Sequence, residues 1–300
     1  MSRYDLVVLG DCNPDVLVTG DDVTPSFGQQ EKLVDGISLV VGGSAAITAV
    51  AAARLGLRVA LAAAVGADPA GRFMLDQLSA SGVDVGPVVV RSDLPTGMTV
   101  VLSRGGDRAI LTALGAVASL TAAEVPPELL AGARHVHASS WFLLQDSLGP
   151  GLAHLFAAAQ AEGATTSLDT NWDPAERWTG EHLANAIAQA DLLLPNEAEA
   201  LRLSSALSLD EAAGKLTAGG ARLVVKLGER GALCAEGPAR HQVSLPPVIP
   251  ADTTGAGDCF SAGFLPPWLA GAAPVEALTA GCALAARVVT QVGARPPSHN

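Results

Sequence analysis

The sequence carries little positive charge and few aromatic side chains. Only three of its 300 residues are lysines, and Lys and Arg together number 18 against 30 Asp and Glu, which gives a formal net charge of −12. Binding of nucleic acid needs clustered Lys and Arg to neutralise phosphates, and the sequence has no such cluster. Aromatic residues make up 4% of the chain and hydrophobic residues 49%. This composition predicts a large, closely packed core and excludes a disordered chain.

Paired cysteines and a membrane span are also missing. The four cysteines, Cys12, Cys234, Cys259 and Cys282, are far apart, so we expect reduced thiols and neither disulfides nor zinc. The most apolar stretch, residues 45–65, is interrupted by two arginines and a glycine, which does not suit a membrane span. The N-terminus enters a strand-like run without a signal-peptide pattern. We therefore expect a cytoplasmic protein that binds neither nucleic acid nor membranes.

Several well-known catalytic signatures are absent from the sequence. No Walker sequence G-x-x-x-x-G-K-[ST] occurs, so a P-loop enzyme is excluded. The dinucleotide fingerprint G-x-G-x-x-G and the hydrolase elbow G-x-S-x-G are missing as well. The six histidines show no H-E-x-x-H spacing, which favours packing roles over metal binding.

Short apolar runs alternate with Ala-rich helical segments along most of the chain. The predicted strands are residues 6–9, 35–41, 59–65, 98–103, 109–112, 135–138, 165–168, 192–194, 223–227 and 231–235. The predicted helices are residues 44–55, 71–82, 148–163, 181–189, 197–203, 209–219, 253–264 (a loop leading into a helix) and 275–291. This alternation predicts one α/β domain over residues 1–300, with a mostly parallel sheet covered on both faces. The segments at about 12–41 and 94–112 break the alternation, and we predict that they form a small β lid.

The most specific motif is Asp-Thr-Thr-Gly-Ala-Gly-Asp over residues 252–258, which opens an apolar helix. Gly255, Ala256 and Gly257 have almost no side chains, so their backbone N–H groups can approach an anion at the positive end of a helix. Asp258 can then accept a hydroxyl proton while the oxygen attacks the γ-phosphorus of a nucleotide. The alternative is a tight turn with a helix cap, because Asp is common at helix starts. The motif thus predicts phosphoryl transfer.

Continued by Cys-Phe-Ser-Ala-Gly-Phe at 259–264, this motif closely resembles the C-terminal signature of the ribokinase-like (PfkB) carbohydrate kinases. Residues 42–56 and 65–71 resemble the N-terminal signature, and Pro-Asn-Glu-Ala-Glu at 195–199 resembles the N-x-x-E motif. The matches follow the family's order and cover nearly the whole chain. The resemblance implies a ribokinase-like three-layer α/β sandwich with a mostly parallel sheet and a small β lid. It also implies an ATP-dependent kinase acting on an alcohol group of a carbohydrate.

The resemblance assigns the catalytic base to Asp258 and the anion hole to the backbone of residues 255–257. Asn196 and Glu199 match the motif that organises Mg²⁺, with Glu199 acting through water; the alternative for this pair is a helix N-cap with a first-turn acid. The residues placed beside the nucleotide by position are Lys226, Gly228, Gly231, Thr253 and Cys282. Asp252 and the tail at 293–298 resemble a monovalent-cation site, so the resemblance leaves potassium open beside ATP and Mg²⁺.

Two groups of residues match family positions near the substrate. Asn13 and Asp15, with the turn at Gly42 and Gly43, match the site for substrate hydroxyls; the alternative for the first pair is a simple Asn-Pro-Asp turn. Asp169 and Asn171 follow a predicted strand, where ligands of parallel sheets bind, and the alternative for them is a solvated loop.

Two positions depart from the family pattern. Ile47 stands where the signature usually has Asn, and Ser44 stands where relatives often have Lys. Without that lysine a phosphosugar substrate lacks a partner for its charge. We therefore predict phosphorylation of a small sugar or sugar acid, with a nucleoside kinase of the same fold as the alternative and a non-catalytic ligand-binding regulator as a third hypothesis. Lid strands often pair between subunits in such kinases, so the resemblance also implies a homodimer.

Overall fold

The computed structural model describes residues 3–104, 107–246, 248–250 and 252–290. Its strands are β1 (Leu6–Leu9), β2 (Asn13–Thr19), β3 (Gly36–Gly42), β4 (Val59–Ala62), β5 (Ala64–Gly66), β6 (Val83–Asp84), β7 (Val89–Arg91), β8 (Met98–Arg104), β9 (Asp107–Ala113), β10 (His135–Ser139), β11 (Thr165–Asp169), β12 (Leu192–Leu193), β13 (Arg222–Lys226), β14 (Ala232–Glu236) and β15 (Ala239–Val243). Its α-helices are α1 (Ser44–Arg54), α2 (Pro69–Ala80), α3 (Pro127–Ala131), α4 (Trp141–Leu144), α5 (Gly149–Ala161), α6 (Glu181–Gln189), α7 (Glu197–Ser204), α8 (Leu209–Leu216), α9 (Ala256–Leu269) and α10 (Pro274–Val288).

A nine-stranded sheet forms the centre of the molecule, in the order β15-β14-β13-β12-β11-β10-β1-β4-β6. All neighbouring strands run parallel except β13 with β14 and β14 with β15. Successive residues of β1 enter different apolar clusters, Val7 and Leu9 on one face and Leu6 and Val8 on the other. Because side chains alternate across a strand, these four residues require helices on both faces. The sheet is accordingly the middle of three layers.

The helices divide between the two faces. The cluster on one side draws on α3, α5, α6, α7 and α8, and the cluster on the other side draws on α1, α2, α9 and α10. The predicted three-layer α/β sandwich with a mostly parallel sheet is therefore confirmed. No described helix combines the length and apolar character needed to cross a membrane.

A second sheet of four strands, in the order β3-β2-β8-β9, stands beside the main one. Strand β2 pairs antiparallel with β3 and parallel with β8, and β8 forms an antiparallel hairpin with β9. These strands come from the two segments that break the βα alternation of the sequence. We call this four-stranded unit the lid sheet.

Several elements differ from the sequence prediction. The predicted strand at 59–65 is two strands, because β4 pairs with β1 and β6 in the main sheet whereas β5 pairs with β7. Helix α4 has four residues and α3 has five, too few for a helical period to show in the sequence. Strand β15 is a partly exposed edge strand with polar residues, so it lacks an apolar run. The predicted turn at Gly105 and Gly106 and the predicted helix end at Gln291 lie outside the described residues.

Candidate active site

A cleft of about 600 Å³ opens between the lid sheet and the carboxyl ends of the main sheet's strands. Parallel strands direct their following loops to one edge, where ligands of α/β proteins bind. Twelve of the residues predicted for the site line this cleft. They are Asn13, Asp15, Gly43, Asn171, Asn196, Glu199, Lys226, Gly228, Thr253, Gly255, Gly257 and Asp258.

The loop before α9 is shaped as an anion site at one end of the cleft. Gly255 is the N-cap of the helix, with a positive φ of 70° that glycine adopts easily. Among the described residues, the N–H groups of Gly255 and Gly257 have no protein acceptor. The N–H of Ala256 instead donates to the Thr253 carbonyl at 3.3 Å, as the tight first turn of a helix allows. Two of the three predicted anion-hole N–H groups are therefore available to an anion, whereas the N–H of Ala256 already has a backbone acceptor.

Asp258 lies in the first turn of α9, with 6% of its surface exposed, and lines the cleft. Burial raises the pKa of this carboxyl to about 8, and the nearby charge of Asp169 adds to that effect. The ammonium group of Lys226 and a hydrogen bond from Ser44 act in the opposite direction. A carboxyl group with a pKa close to neutral pH suits a general base.

Lys226 and Asp169 form a buried ion pair beneath the anion loop. The distance from Lys226 Nζ to Asp169 Oδ2 is 2.6 Å, and their side chains are 12% and 1% exposed. Burial alone lowers the pKa of Lys226, but the charges of Asp169 and Glu199 outweigh it and raise that pKa. A Cβ placed on Gly257 would lie 3.3 Å from Lys226 Nζ, so the ammonium lies next to the loop. Asp169 does not line the cleft. The sequence predicted that it contacts the substrate directly, but its carboxylate contacts Lys226 instead.

Asn196 and Glu199 cap the start of α7 reciprocally. Asn196 Oδ1 accepts the Glu199 N–H at 2.9 Å, and Glu199 Oε2 accepts the Asn196 N–H at 2.8 Å. This is the capping box that the sequence left open as the alternative. Both residues still line the cleft. Burial raises the pKa of Glu199 to about 7, partly offset by Lys226.

The lid-sheet wall of the cleft carries side chains that suit hydroxyl groups. The Asn13 side-chain amide donates to Asp15 Oδ1 and to Thr99 Oγ1, both at 3.1 Å, and Thr99 contacts Thr112. Burial, together with the charge of Asp11, raises the pKa of Asp15 to about 7. Gly42 does not line the cleft, but a Cβ there would lie 1.9 Å from Asp15 Oδ1. Gly42 therefore makes room for the Asp15 carboxyl.

Asn171 joins three elements at the wall of the cleft. Its side chain donates to Ser44 Oγ at 3.0 Å and accepts from the Ser140 N–H at 2.8 Å and from Ser139 Oγ at 3.1 Å. Its φ of +56° is left-handed, a conformation that Asn tolerates better than most residues. Because its amide is engaged within the protein, Asn171 shapes the wall of the cleft.

An apolar pocket of about 330 Å³ adjoins the cleft behind the anion loop. Four residues, Lys226, Gly228, Thr253 and Gly257, line both spaces, and the pocket continues between Phe260 and Val289. The predicted nucleotide residues Gly231 and Cys282 line this pocket. A flat base in the pocket would place the attached phosphates at the anion loop.

Among the described residues, the predicted cation positions offer few groups that could bind a cation. Asp252 Oδ1 accepts from the N–H and the hydroxyl of Thr254, at 2.8 and 2.7 Å, so it caps its own turn; the tail at 293–298 lies outside the described residues. Within the described ranges, no group of three or more His, Cys, Asp or Glu residues could hold a metal. Glu199 supplies one carboxylate on the cleft wall, and it fits Mg²⁺ that takes most of its ligands from phosphates and water.

Two charged residues of the cleft, Asp11 and Arg108, were not predicted from the sequence. Asp11 accepts the N–H groups of Ser44 and Ala45 at 3.0 and 2.9 Å, and thereby caps α1. Arg108 on β9 donates to Thr253 and Thr254, which precede the anion loop. Asp11 follows the first strand directly, a position that could have indicated it. Nothing local distinguishes Arg108, because its partners lie more than 140 residues away along the chain.

Comparison with known proteins agrees with the fold. The family described as pfkB family carbohydrate kinase matches residues 4–300. Fructoselysine 6-kinase of Escherichia coli K12 is 32% identical over 279 residues, which cover 92% of this chain and 97% of the relative. Ribokinase of Bacillus subtilis is 30% identical over 260 residues, covering 87% and 84%.

One solved structure shares nearly the whole fold. An E. coli protein described as ribokinase II, in complex with ATP and Mg²⁺, superposes with a TM-score of 0.86 at 25% identity and covers 98% of this chain and 94% of that one. The predicted ribokinase-like fold and carbohydrate kinase activity are confirmed by these matches. This chain belongs to the pfkB family of carbohydrate kinases.

Proposed function

We propose that the protein transfers the γ-phosphoryl group of ATP to a hydroxyl group of a small sugar or sugar acid, with Asp258 as the general base. The observation that carries this proposal is the position of Asp258. This buried carboxyl directly follows the open amides of Gly255 and Gly257, and it lines a cleft that Asn13 and Asp15 also line.

In this mechanism the acceptor binds at Asn13 and Asp15 and presents one hydroxyl to Asp258. Asp258 takes the hydroxyl proton while the oxygen attacks the γ-phosphorus. The amides of Gly255 and Gly257, at the positive end of α9, stabilise the charge on the transferring group. Lys226, whose ammonium is paired with Asp169, lies beside the same loop and offers a further donor to the transferring group.

The nucleotide occupies the apolar pocket lined by Gly228, Gly231 and Cys282 in this proposal. Mg²⁺, when bound, neutralises phosphate charge, and Glu199 would hold it through water with Asn196 orienting that carboxyl. Potassium at Asp252 is a separate part of the proposal: turnover should rise when KCl replaces a salt of a larger cation. The proposal also includes a cytoplasmic location. It further includes a single domain over residues 1–300, in which the lid sheet closes over the cleft.

A coupled assay of ADP release with a panel of acceptors tests the proposed substrate class. The panel contains free sugars, sugar acids and nucleosides, each with Mg²⁺–ATP. We expect ADP release above background with at least one sugar or sugar acid. ADP release driven by nucleosides alone would overturn the sugar assignment.

A nucleoside acceptor remains the second candidate because part of the cleft is apolar. Ile47, Val101, Ile110, Leu143 and Trp172 line the same space as the polar residues. Trp172 packs edge-on against Trp178, with ring centroids 4.9 Å apart. A planar base could pack against these side chains while its ribose meets Asp15. The acceptor panel separates this candidate from the first.

Gly42→Ala should weaken acceptor binding more than nucleotide binding. The new methyl group would overlap the Asp15 carboxyl, since its carbon would lie only 1.9 Å from Asp15 Oδ1, and the carboxyl must move. We expect the KM of the acceptor to rise about tenfold, the loss of one good hydrogen bond, with the KM of ATP unchanged. Gly36→Ala on the same strand is the matched control, because its Cβ would meet only Thr19 Oγ1 at 3.1 Å. Equal effects of both substitutions on the acceptor KM would contradict the role given to Gly42.

The outer face of the lid sheet supports a homodimer through the lid. Leu39, Val16, Val100 and Leu111 form one row across its four strands. Ile37, Leu39 and Leu111 are 68%, 45% and 63% exposed, and a continuous apolar sheet face of this kind is typical of an interaction surface.

A charge on this face should separate the subunits. We expect Leu39→Asp to convert a dimer into a monomer, measured by sedimentation velocity, because an unpaired carboxylate is costly to bury. Phe27→Asp is the control, since Phe27 is 96% exposed and lies outside the lid strands. A monomeric unsubstituted protein would rule out the proposed dimer.

A further inference from the structure

Arg108 connects the lid sheet to the segment that leads into the anion loop. Its guanidinium Nη1 lies 3.1 Å from Thr253 Oγ1 and 3.2 Å from Thr254 Oγ1. These threonines immediately precede Gly255, the N-cap of α9. The two bonds therefore join strand β9 of the lid sheet to the residues that immediately precede the anion loop.

The position of Arg108 on β9 directs its side chain into the cleft. Side chains alternate across a strand, and Ile110 and Thr112, two and four residues further on, line the cleft together with Arg108. Thr112 contacts Thr99, which accepts from Asn13. One strand thus carries contacts to the side chains that suit hydroxyl groups and to the segment that leads into the anion loop.

Arg108 also acts electrostatically on the acceptor end. Burial and the charge of Asp11 raise the pKa of Asp15, and the charge of Asp252 adds to this, whereas Arg108 lowers it and Asn13 lowers it through a hydrogen bond. Arg108 therefore favours the ionised form of Asp15, which accepts hydrogen bonds from substrate hydroxyls.

We propose, on the basis of the proposed kinase function, that Arg108 is a positioning residue that couples lid closure to both halves of the reaction. Its Nη1 group donates to the hydroxyls of Thr253 and Thr254, and these bonds hold the lid sheet against the segment that leads into the anion loop. Its positive charge favours the ionised form of Asp15, which accepts hydrogen bonds from the hydroxyl groups of the acceptor. Closure of the lid also excludes water from the γ-phosphate.

The experiment compares Arg108→Ala and Arg108→Lys with the control Arg104→Ala. Arg104 ends the neighbouring strand β8 and donates to Thr24 Oγ1 at 3.3 Å, away from the anion loop. Lysine keeps the charge but carries it on a compact ammonium at the end of a flexible stem, in place of the rigid planar guanidinium. The three variants separate the charge of Arg108 from its geometry, and both from a general effect on the lid sheet.

Hydrogen–deuterium exchange of the free protein tests the contact and needs no acceptor. We expect amide exchange in residues 252–258 to be about tenfold faster in Arg108→Ala, as for the loss of one net hydrogen bond. Arg108→Lys should share this effect and Arg104→Ala should not. Faster exchange confined to the lid strands, or equal exchange at 252–258 in all three variants, would overturn the proposed contact.

Steady-state kinetics test the consequence for the reaction, using the acceptor with the highest activity in the sugar panel. We expect Arg108→Ala to lower kcat/KM for that acceptor about 10- to 100-fold, as misplacement of reacting groups does, and to raise ADP release without acceptor. Protonation of Asp15 at low pH should raise the KM of the acceptor. We expect this rise to occur at a higher pH in Arg108→Ala than in the unsubstituted protein, and at the unchanged pH in Arg108→Lys. An unchanged pH dependence in Arg108→Ala would overturn the proposed effect of the Arg108 charge on Asp15. If no acceptor supports turnover, the proposed function fails while the exchange result still stands.

Discussion

We expect Asp258→Asn to lower kcat by about 10²–10⁴, the usual contribution of a general base. The amide has nearly the same shape as the carboxyl but cannot take the hydroxyl proton. Because the anion loop and the apolar pocket are unchanged, we expect the affinity for Mg²⁺–ATP to be largely kept. The measurements are kcat from ADP release and nucleotide binding by calorimetry. Unchanged turnover would remove Asp258 from the mechanism.

The pH dependence gives a second measure of the same residue. The base works in its ionised form, and burial raises the pKa of Asp258 to about 8. For the free enzyme, kcat/KM should therefore rise as pH increases through about 8 and level off above it. The residual activity of Asp258→Asn should lack this limb. Asp76→Asn on α2 is the control, since Asp76 is exposed and outside the cleft, and it should keep the full profile.

We expect Lys226→Met to lower both stability and activity, because it leaves the buried charge of Asp169 without its ion-pair partner. Removing one member of a buried pair costs about 3–5 kcal/mol, and Asp169 is 1% exposed. We expect the free energy of unfolding to fall by about that amount in urea titrations. We also expect a large loss of kcat, because the anion loop loses the adjacent ammonium.

A double substitution separates the two consequences of Lys226→Met. Adding Asp169→Asn removes the unpaired charge, so the double variant should regain part of the lost stability. Its kcat should stay low, because the ammonium is still missing. Lys215→Met is the control: Lys215 and Glu211 form an exposed pair at 2.8 Å, which contributes less than about 1 kcal/mol. A double variant with normal kcat would show that Lys226 has only a structural role.

The parts of the site that are short in sequence could be predicted well. Gly255, Gly257 and Asp258 lie within four residues, and a glycine-rich start of an apolar helix determines its own backbone geometry. The same holds for Asn196 and Glu199, whose three-residue spacing forms a capping box in any helix that begins there. These predictions rest on local conformation, which neighbouring residues set without help from distant parts of the chain.

Two residues predicted to contact different ligands contact each other in the structure. Asp169 was predicted to bind the substrate and Lys226 the nucleotide, whereas their side chains, 57 residues apart in the sequence, form one ion pair. The pairing follows from the sheet order, since only β12 separates β11 from β13. Strand order depends on how long connections close, and a single sequence carries little information about that closure.

The sequence by itself determined the alternating βα pattern, the polarised start of α9 and the capping box of α7, because each depends on spacings of a few residues. Only the tertiary structure decided that Lys226 holds Asp169, that Gly42 makes room for Asp15 and that Arg108 reaches Thr253. Those contacts join strands and loops that are distant in the chain. They arise from packing two sheets around one cleft, and packing is a property of the whole fold.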